Sequence, residues 1–486
     1  MRPRGGFMIA WQRIRALLNM RNKLHRAFGL LALLTLCACM TNMPHDDAAA
    51  RLAPAMDTST SDLPSFGAPN PIRFSRSNQS LAEDFMALSF VLESGRQIPR
   101  ISRFEGPITV ALAPSAPPAL EGELSHLLTR LRTEAGIAIS ATAYRTNSPA
   151  KITIEALPSE RIAAAVPQAA CFVVPNASTW QEFIRQRGRV TSDWASLTTR
   201  SRAAIFLPAD ASLQEMRDCL HEELGQALGP LNDLYDLTDS VFNDDNFHAV
   251  LTTTDMMFLR IFNDPSLQSG MGQADVAARL PAILGRINPT GGVVSSINLA
   301  NRDNRAWSNA IGRALGPNMP EGQRLEHAQA ALNIAQRSNM RDARLGFSYY
   351  ALGRIALARD PDRAAAAFAS AQDIYQRLPN TDVQRAHIAM QIGALALARG
   401  DMTAALLQST IALPIARRSE NAHLLASLSM LRATALEGLG RGSEAQRSRL
   451  EAYAWGRYGF ADRSLMQIRL GEIANLAPNA TQAARN

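Results

Sequence analysis

The residues with the most chemical promise run His221-Glu222-Glu223-Leu224-Gly225-Gln226-Ala227-Leu228-Gly229-Pro230-Leu231-Asn232-Asp233. They approach H-E-x-x-H-x-x-G-x-x-H. In that pattern a helix sets two imidazoles one turn apart on zinc, with the glutamate between them as general base for hydrolysis. Counted from His221, the residue four positions on is Gly225; Gln226 falls one place late, and the steps from Gln226 to Gly229 and Asn232 then match. Zinc prefers imidazole, thiolate and carboxylate to a glutamine carbonyl. A zinc-dependent reading therefore takes Glu222 as the catalytic base and His221 as a metal ligand, with His248 or Asp255 completing the metal set from downstream. Two alternatives stay open. The acid-rich stretch 233–245 offers oxygen ligands for calcium, although without EF-hand spacing. Alternatively, Glu222, Glu223 and the aspartates form a solvated face with helix caps. On a helix, His221, Leu224 and Leu228 share one face, and Glu222 and Gln226 share another.

These residues need a scaffold, and the preceding chain supplies one. Helical spacing is expected over 81–92 and 121–134. Period-two or β-branched runs at 108–112, 137–144, 151–156, 171–174 and 203–207 read as strands. Asp210 is placed to cap a helix over 212–228, which Gly229-Pro230 stops. A sheet followed by one long helix bearing His221 and Glu222 is the order of zinc-protease-like folds, so an α+β domain of zincin-like character is expected over 74–287. Cys171 and Cys219 are the cysteines left after the leader; paired, they clamp the start of that helix, and unpaired they are two buried thiols. No G-x-S-x-G elbow or glycine-rich phosphate loop is present.

The first 38 residues read as a signal peptide. A basic stretch with Arg21, Lys23 and Arg26 precedes a ten-residue apolar run, 27–36, too short to span a bilayer that needs about 20 helical residues. The run ends Leu36-Cys37-Ala38-Cys39, which resembles the lipobox of bacterial lipoproteins. That resemblance implies acylation of Cys39 (palmitate among the chains), a membrane contact through the N-terminal lipid, and a periplasm-facing protein in the cell envelope. The plain alternative is an ordinary signal peptide, and Met20 is an alternative start to Met1. The leader carries seven of the 50 basic residues and no acid, which leaves 43 basic against 43 acidic residues. The mature chain thus has no overall basic footprint, and no nucleic-acid partner is expected.

Residues 39–73, rich in Ala, Ser, Thr, Pro and Asp, read as a tether. Residues 288–323 read as a linker, and 324–478 as paired helices. Gly353, Gly393 and Ala433 recur every 40 residues, as do Ala365, Ala405 and Ala445, with turns at Gly400-Asp401 and Gly440-Arg441. Tyr349, Leu352, Gly353, Ala364, Phe368 and Ala371 resemble the tetratricopeptide consensus, which implies a protein partner on the repeats. An irregular alanine-rich bundle is the alternative.

Five further segments carry a family resemblance: Ile101-Ser102-Arg103-Phe104, His221-Glu222-Glu223, Leu231-Asn232-Asp233, Val241-Phe242-Asn243-Asp244, and Leu251-Thr252 with Asp255. Together with Gly270-Met271 after Asp264-Pro265, they resemble the Domain of Unknown Function 2927 family of proteobacterial lipoproteins over roughly 74–275. The family implies export and lipidation and supplies no catalytic residues. The function expected from the sequence is partner binding or scaffolding through the concave face of the helical repeats. The alternative is a zinc-dependent, peptidase-like hydrolase using the His221-Glu222 helix.

Overall fold

The computed structural model describes residues 63–66, 75–167, 169–298, 304–316 and 319–478. The leader, Cys39 and most of the tether lie outside the described residues.

Ser77 accepts a hydrogen bond from the backbone of Ser80 and starts helix α1 (Asn78–Ser89). Strands and helices then alternate: β1 (Ile108–Leu112), α2 (Ala119–Thr133), β2 (Ile139–Ala141), β3 (Ile152–Leu157), α3 (Ser159–Ala165), β4 (Phe172–Pro175), α4 (Trp180–Gln186), β5 (Ala203–Pro208) and α5 (Leu213–Leu228). The sheet order is β2-β1-β3-β5-β4; all neighbours are parallel except β4, which runs antiparallel to β5 at the edge. Strand β5 is buried along its whole length and β3 nearly so, as expected when helices cover both faces of a parallel sheet. The expectation of an α+β domain is thereby corrected to α/β, because the helices are interleaved with the strands. The strand expected over 137–144 pairs only at Ile139–Ala141. Helices α6 (Thr253–Phe262) and α7 (Gln273–Ile287) complete this part of the chain.

The segment expected as a linker is partly structured. Asn78 donates twice to its first half: its N–H reaches the Gly291 carbonyl at 2.8 Å and its side-chain amide the Gly292 carbonyl at 2.7 Å. The second half holds helix α8 (Arg305–Leu315), whose Trp307 is buried and donates to Ser348 Oγ at 2.8 Å. A Gly/Pro/Asn-rich composition hid this helix.

Beyond it lie α9 (Glu321–Arg337), α10 (Ala343–Ala356), α11 (Pro361–Arg377), α12 (Asp382–Ala398), α13 (Met402–Arg418), α14 (Ala422–Gly438), α15 (Gly442–Gly459) and α16 (Arg463–Ala474). Helices α12 and α14 begin at 382 and 422, and α13 and α15 at 402 and 442, so the helix pairs keep the period seen in the sequence. Its small residues serve close packing. A Cβ on Gly353 would sit 2.7 Å from the Phe368 ring, and one on Gly393 2.6 Å from Leu431. Gly400 and Gly440 adopt φ of +79° and +74° at the turns, where a side chain would be strained.

The leading helices of these pairs meet the α/β domain. Phe247, in the loop between α5 and α6, packs its ring against Phe347 and Tyr350 of α10 and His387 of α12. Gln384 donates to the Thr238 carbonyl at 2.8 Å. Arg217 of α5, almost wholly buried, pairs with Glu420 in the α13–α14 turn and lies 3.1 Å from Glu123 of α2. Its guanidinium also stacks on Phe66, which stacks in turn on Trp455 at 4.4 Å between ring centroids. No helix among the described residues is long and apolar enough to cross a membrane.

Candidate functional site

Helix α5 carries the site, and both of its ends are fastened. At the N-terminus, Ser212 accepts from Glu215 N–H while the Glu215 carboxylate accepts from Ser212 N–H at 2.8 Å, a reciprocal capping box. Ser212, not Asp210, is the cap; Asp210 instead accepts from Ser159 N–H and Oγ–H at 2.9 and 2.7 Å. At the C-terminus the unpaired carbonyls of Gln226, Ala227 and Gly229 accept from the buried Arg200 guanidinium at 2.8, 2.7 and 2.7 Å. A cation there also complements the helix dipole. Arg200 stacks against Trp194 and Phe262, and its burial brings the guanidinium down to about 9. A Cys171–Cys219 disulfide, with Cα atoms 6.0 Å apart, ties α5 to the beginning of β4.

His221 is 1% exposed, on the same buried face as Leu224 and Leu228. Its Nδ1 accepts the Leu251 N–H at 3.0 Å. Burial, and then the positive charges of Arg217 and Arg130, hold its pKa well below the usual histidine value, so the ring is neutral. Position 225, one turn on, is closed to any larger residue: a Cβ there would lie 2.9 Å from the Phe242 ring and 3.2 Å from Leu251. His248 bonds the Thr238 carbonyl through Nε2 at 2.9 Å. Asp255 closes a capping box with Thr252 at the start of α6, and also accepts from Val241 N–H at 3.0 Å and from Ser240; burial pushes its carboxyl up to about 6. The three candidate metal ligands each hold a separate backbone segment in place. Glu222, the candidate base, points with Glu223 to a different neighbourhood.

That neighbourhood is acidic. Ligand-capable atoms of Cys171, Glu222 and Glu223 lie within 4.8 Å of one another, and because Cys171 is in the disulfide, only the two carboxylates bear charge. Glu93, in the tight loop after α1 where Leu92 N–H donates to the Arg96 carbonyl at 2.9 Å, accepts from Gln226 at 3.3 Å and hydrogen-bonds Asp233. Asp244 adds its charge from the rim. Burial, then the charges of Glu93 and Asp244, push Glu222 up to about 7. Burial is likewise the main reason that Glu223 and Asp233 lie well above the usual carboxylate range, with neighbouring carboxylates adding to it. Glu93 is raised by desolvation, offset by its bonds to Gln226 and Asp233. Five acids thus converge between the α1 loop, α5 and the loop that follows α5. This loop is stitched by its own side chains: Asn243 accepts from Asp245 N–H, and Asp245 from Phe247 N–H, both at 3.0 Å.

Residues 78–282 match the family model Protein of unknown function (DUF2927). No curated protein and no solved structure matches the chain. The matched residues begin with α1 and stop inside α7, so the matched segment contains the sheet, α5 and every acid of the cluster, and the helical array follows it.

Sequence reasoning anchored the motif on its histidine; it named Glu222, Glu223 and the acids of 233–245, but gave them separate roles and did not bring Glu93 to them. Read one residue later, Glu222-Glu223-x-x-Gln226-x-x-Gly229-x-x-Asn232 has the full spacing of the long zinc pattern, with oxygen donors or amides where imidazoles would stand. That frame was the available signal for Glu223 and Gln226. Glu93 had none, because it reaches the cluster only through the α1 loop. Asn232 is turned away: its amide donates to the Ala87 carbonyl at 3.1 Å.

Proposed function

We propose that this chain is a lipid-anchored envelope protein that binds a protein partner through the outer face of its helical array, with the DUF2927 domain carried as the array's resident module. The observation that carries the partner-binding reading is the distribution of apolar surface. The leading helices α10 and α12 are occupied by Phe247 and its loop. On α13, by contrast, Leu407 and Ile411 stand one turn apart and 56% and 54% exposed, with Leu450 of α15 and Ile468 of α16 also exposed. Exposed apolar side chains at helical spacing favour an interaction surface over a purely solvated one. The leader and the Leu36-Cys37-Ala38-Cys39 segment support the anchor.

Two substitutions test the two halves of the reading. Leu407→Asp with Ile411→Asp is expected to abolish crosslinking to the partner in intact cells while leaving the thermal unfolding midpoint unchanged; persistence of the crosslinked species overturns partner binding by this face. Cys39→Ser is expected to move the protein out of the membrane fraction, and retention there overturns the anchor.

Zinc-dependent hydrolysis, with Glu222 as base, remains the second reading and is favoured by the order of sheet and then helix. The bonds held by His221, His248 and Asp255, and the closed position at Gly225, weigh against it. Stoichiometric zinc in purified protein, lost in His221→Ala, would restore it.

A further inference from the structure

We propose that Arg217, Trp455 and Tyr458 form a seat for one aromatic side chain carried on an extended segment, and that the tether fills this seat in cis with Phe66. The seat lies on the seam between α5 and α15. It uses neither Glu222 and Glu223 nor the exposed apolar residues of α13, and it rests on neither the anchor nor the partner proposed above.

Ring geometry is the first argument. Phe66 stacks on Trp455 with centroids 4.4 Å apart and 26° between the planes, and it meets Tyr458 edge-on at 5.7 Å. The Arg217 guanidinium carbon lies 5.0 Å from the centre of the Phe66 ring. The first two contacts are arrangements that aromatic quadrupoles prefer, and the third lies inside the usual cation–π reach of about 6 Å. The second argument is an orphaned donor. Arg217 is 1% exposed, and its Nη1 has no hydrogen-bond acceptor. Glu420 takes Nη2 and Glu123 lies 3.1 Å from Nε, so the Phe66 ring meets a guanidinium whose hydrogen bonds are incomplete. That favours an aromatic ring over an aliphatic chain of similar size, because only the ring has a negative face to offer the charge.

The walls of the seat are positioned by other residues. Tyr458 donates to Glu123 Oε1 at 2.7 Å, the same carboxylate that approaches Arg217 from α2. Arg417 lies 5.6 Å from the Trp455 ring and pairs with Glu451. The occupant is held more lightly. Trp455 and Tyr458 are 4% and 2% exposed, whereas Phe66 is only half-buried. Among the described residues, no backbone–backbone hydrogen bond holds 63–66. One side chain therefore fastens the segment, and it can leave while the seam stays closed. Phe66 is also the only Phe, Tyr or Trp between residues 40 and 73, and it sits between Pro64 and Gly67 in a stretch rich in Ala, Ser, Thr, Pro and Asp. Such a stretch cannot bury enough apolar surface to fold by itself, so the ring is its point of attachment. A filled seat leaves 40–65 as the free tether, with a root-mean-square length of roughly 25–30 Å; this consequence alone rests on the anchor at Cys39.

The test uses the full chain, solubilised, with acrylamide quenching of tryptophan fluorescence as the readout. Phe66→Ala is expected to increase quenching while the circular dichroism of the fold is retained. The increase should disappear when Trp455→Phe is added, which assigns it to the seat. Phe66→Leu is expected to behave as Phe66→Ala does. A synthetic peptide of residues 60–68 is then the probe. At up to a few millimolar it is expected to restore shielding in Phe66→Ala and to leave the wild type unchanged, because there the tether's own ring, at an effective concentration on the order of millimolar, already fills the seat. The same peptide with alanine in place of its phenylalanine should restore nothing. The seat is overturned if Phe66→Ala leaves quenching at the wild-type value, or if the peptide fails to protect Trp455. Its preference for an aromatic ring is overturned if Phe66→Leu shields Trp455 as well as the wild type does. Wild-type shielding that is lost on dilution would put the ring of a second copy in the seat and overturn the assignment in cis.

Discussion

Arg200 and Arg103 show what a single buried charge does in this chain. Each is an arginine with several main-chain carbonyls as its partners: Arg200 closes α5, and Arg103 donates to the carbonyls of Phe262, Asp264 and Leu267 at 3.1, 2.8 and 2.7 Å beyond the end of α6. Hydrogen bonds to a charged group contribute about 1.5–3 kcal/mol each, less the cost of burying the charge. Arg200→Met is therefore expected to lower stability by on the order of 3–5 kcal/mol, read from the urea midpoint; a loss under about 1 kcal/mol would show that water replaces the guanidinium. Arg103 stood out in the sequence only as part of a family-like segment and Arg200 not at all, because an arginine that binds the carbonyls of a distant helix end has no local signature. His221 was legible in part. Its helix face, shared with Leu224 and Leu228, follows from spacing alone, but spacing does not say which face turns inward. The buried face turned out to be the histidine's, so its nitrogen meets Leu251 N–H and the glutamates one position on meet each other.

At the level of elements, the sequence was most readable where patterns are local. The central strands follow β-branched runs, α5 ends at Gly229-Pro230, and the helix pairs keep their 40-residue step because small residues must recur wherever two helices approach closely. Reading failed where a longer-range contact decides. Asp210 sits at a plausible cap position, yet it bonds the start of α3 and leaves Ser212 to cap α5. Helix α8 was missed because what stabilises it is the burial of Trp307 among later helices. The disulfide joins these two kinds of information, since it needs only two cysteines in the sequence but exists because β4 lies beside α5. Closing a loop with a sequence separation of 48 contributes up to about 4 kcal/mol through the unfolded chain. Reductant is thus expected to lower the denaturant midpoint of the wild type and to leave Cys171→Ala/Cys219→Ala unaffected. An unchanged wild-type midpoint would mean the bond constrains little.

At the scale of the whole molecule, the α/β domain and the helical array share buried titratable groups, and these set the response to acid. Burial is the main reason that His387, its ring tilted against Phe247, is held down to about 3, and His423, against Phe460, down to about 4. Both are neutral when folded. As pH falls below 6.5 the unfolded chain takes up protons that the folded chain refuses, so their contribution, complete above 6.5, is lost on the way down towards 3–4. Asp245, pushed up to about 7 by burial, works in the opposite sense: it keeps its proton in the fold, and its contribution fades as pH rises from 3.8 to about 7. His387→Gln is expected to flatten the fall in stability between pH 6.5 and 4, measured by urea unfolding across that range, and an unaltered slope would place the acid sensitivity elsewhere. The Arg217–Glu420 pair has a consequence in time. Its two residues are 203 positions apart. At synthesis rates of about 5–20 residues per second, Arg217 exists for roughly 10 to 40 s before Glu420 has been made. During that interval Glu123 is its only acidic partner of the two, Phe247 has no α10 or α12 to enter, and the domain that carries the site is an unfinished surface. Completion of the site's supporting helix waits on nearly the last part of the chain, so a ribosome that stops early leaves behind a domain whose buried cation still faces water.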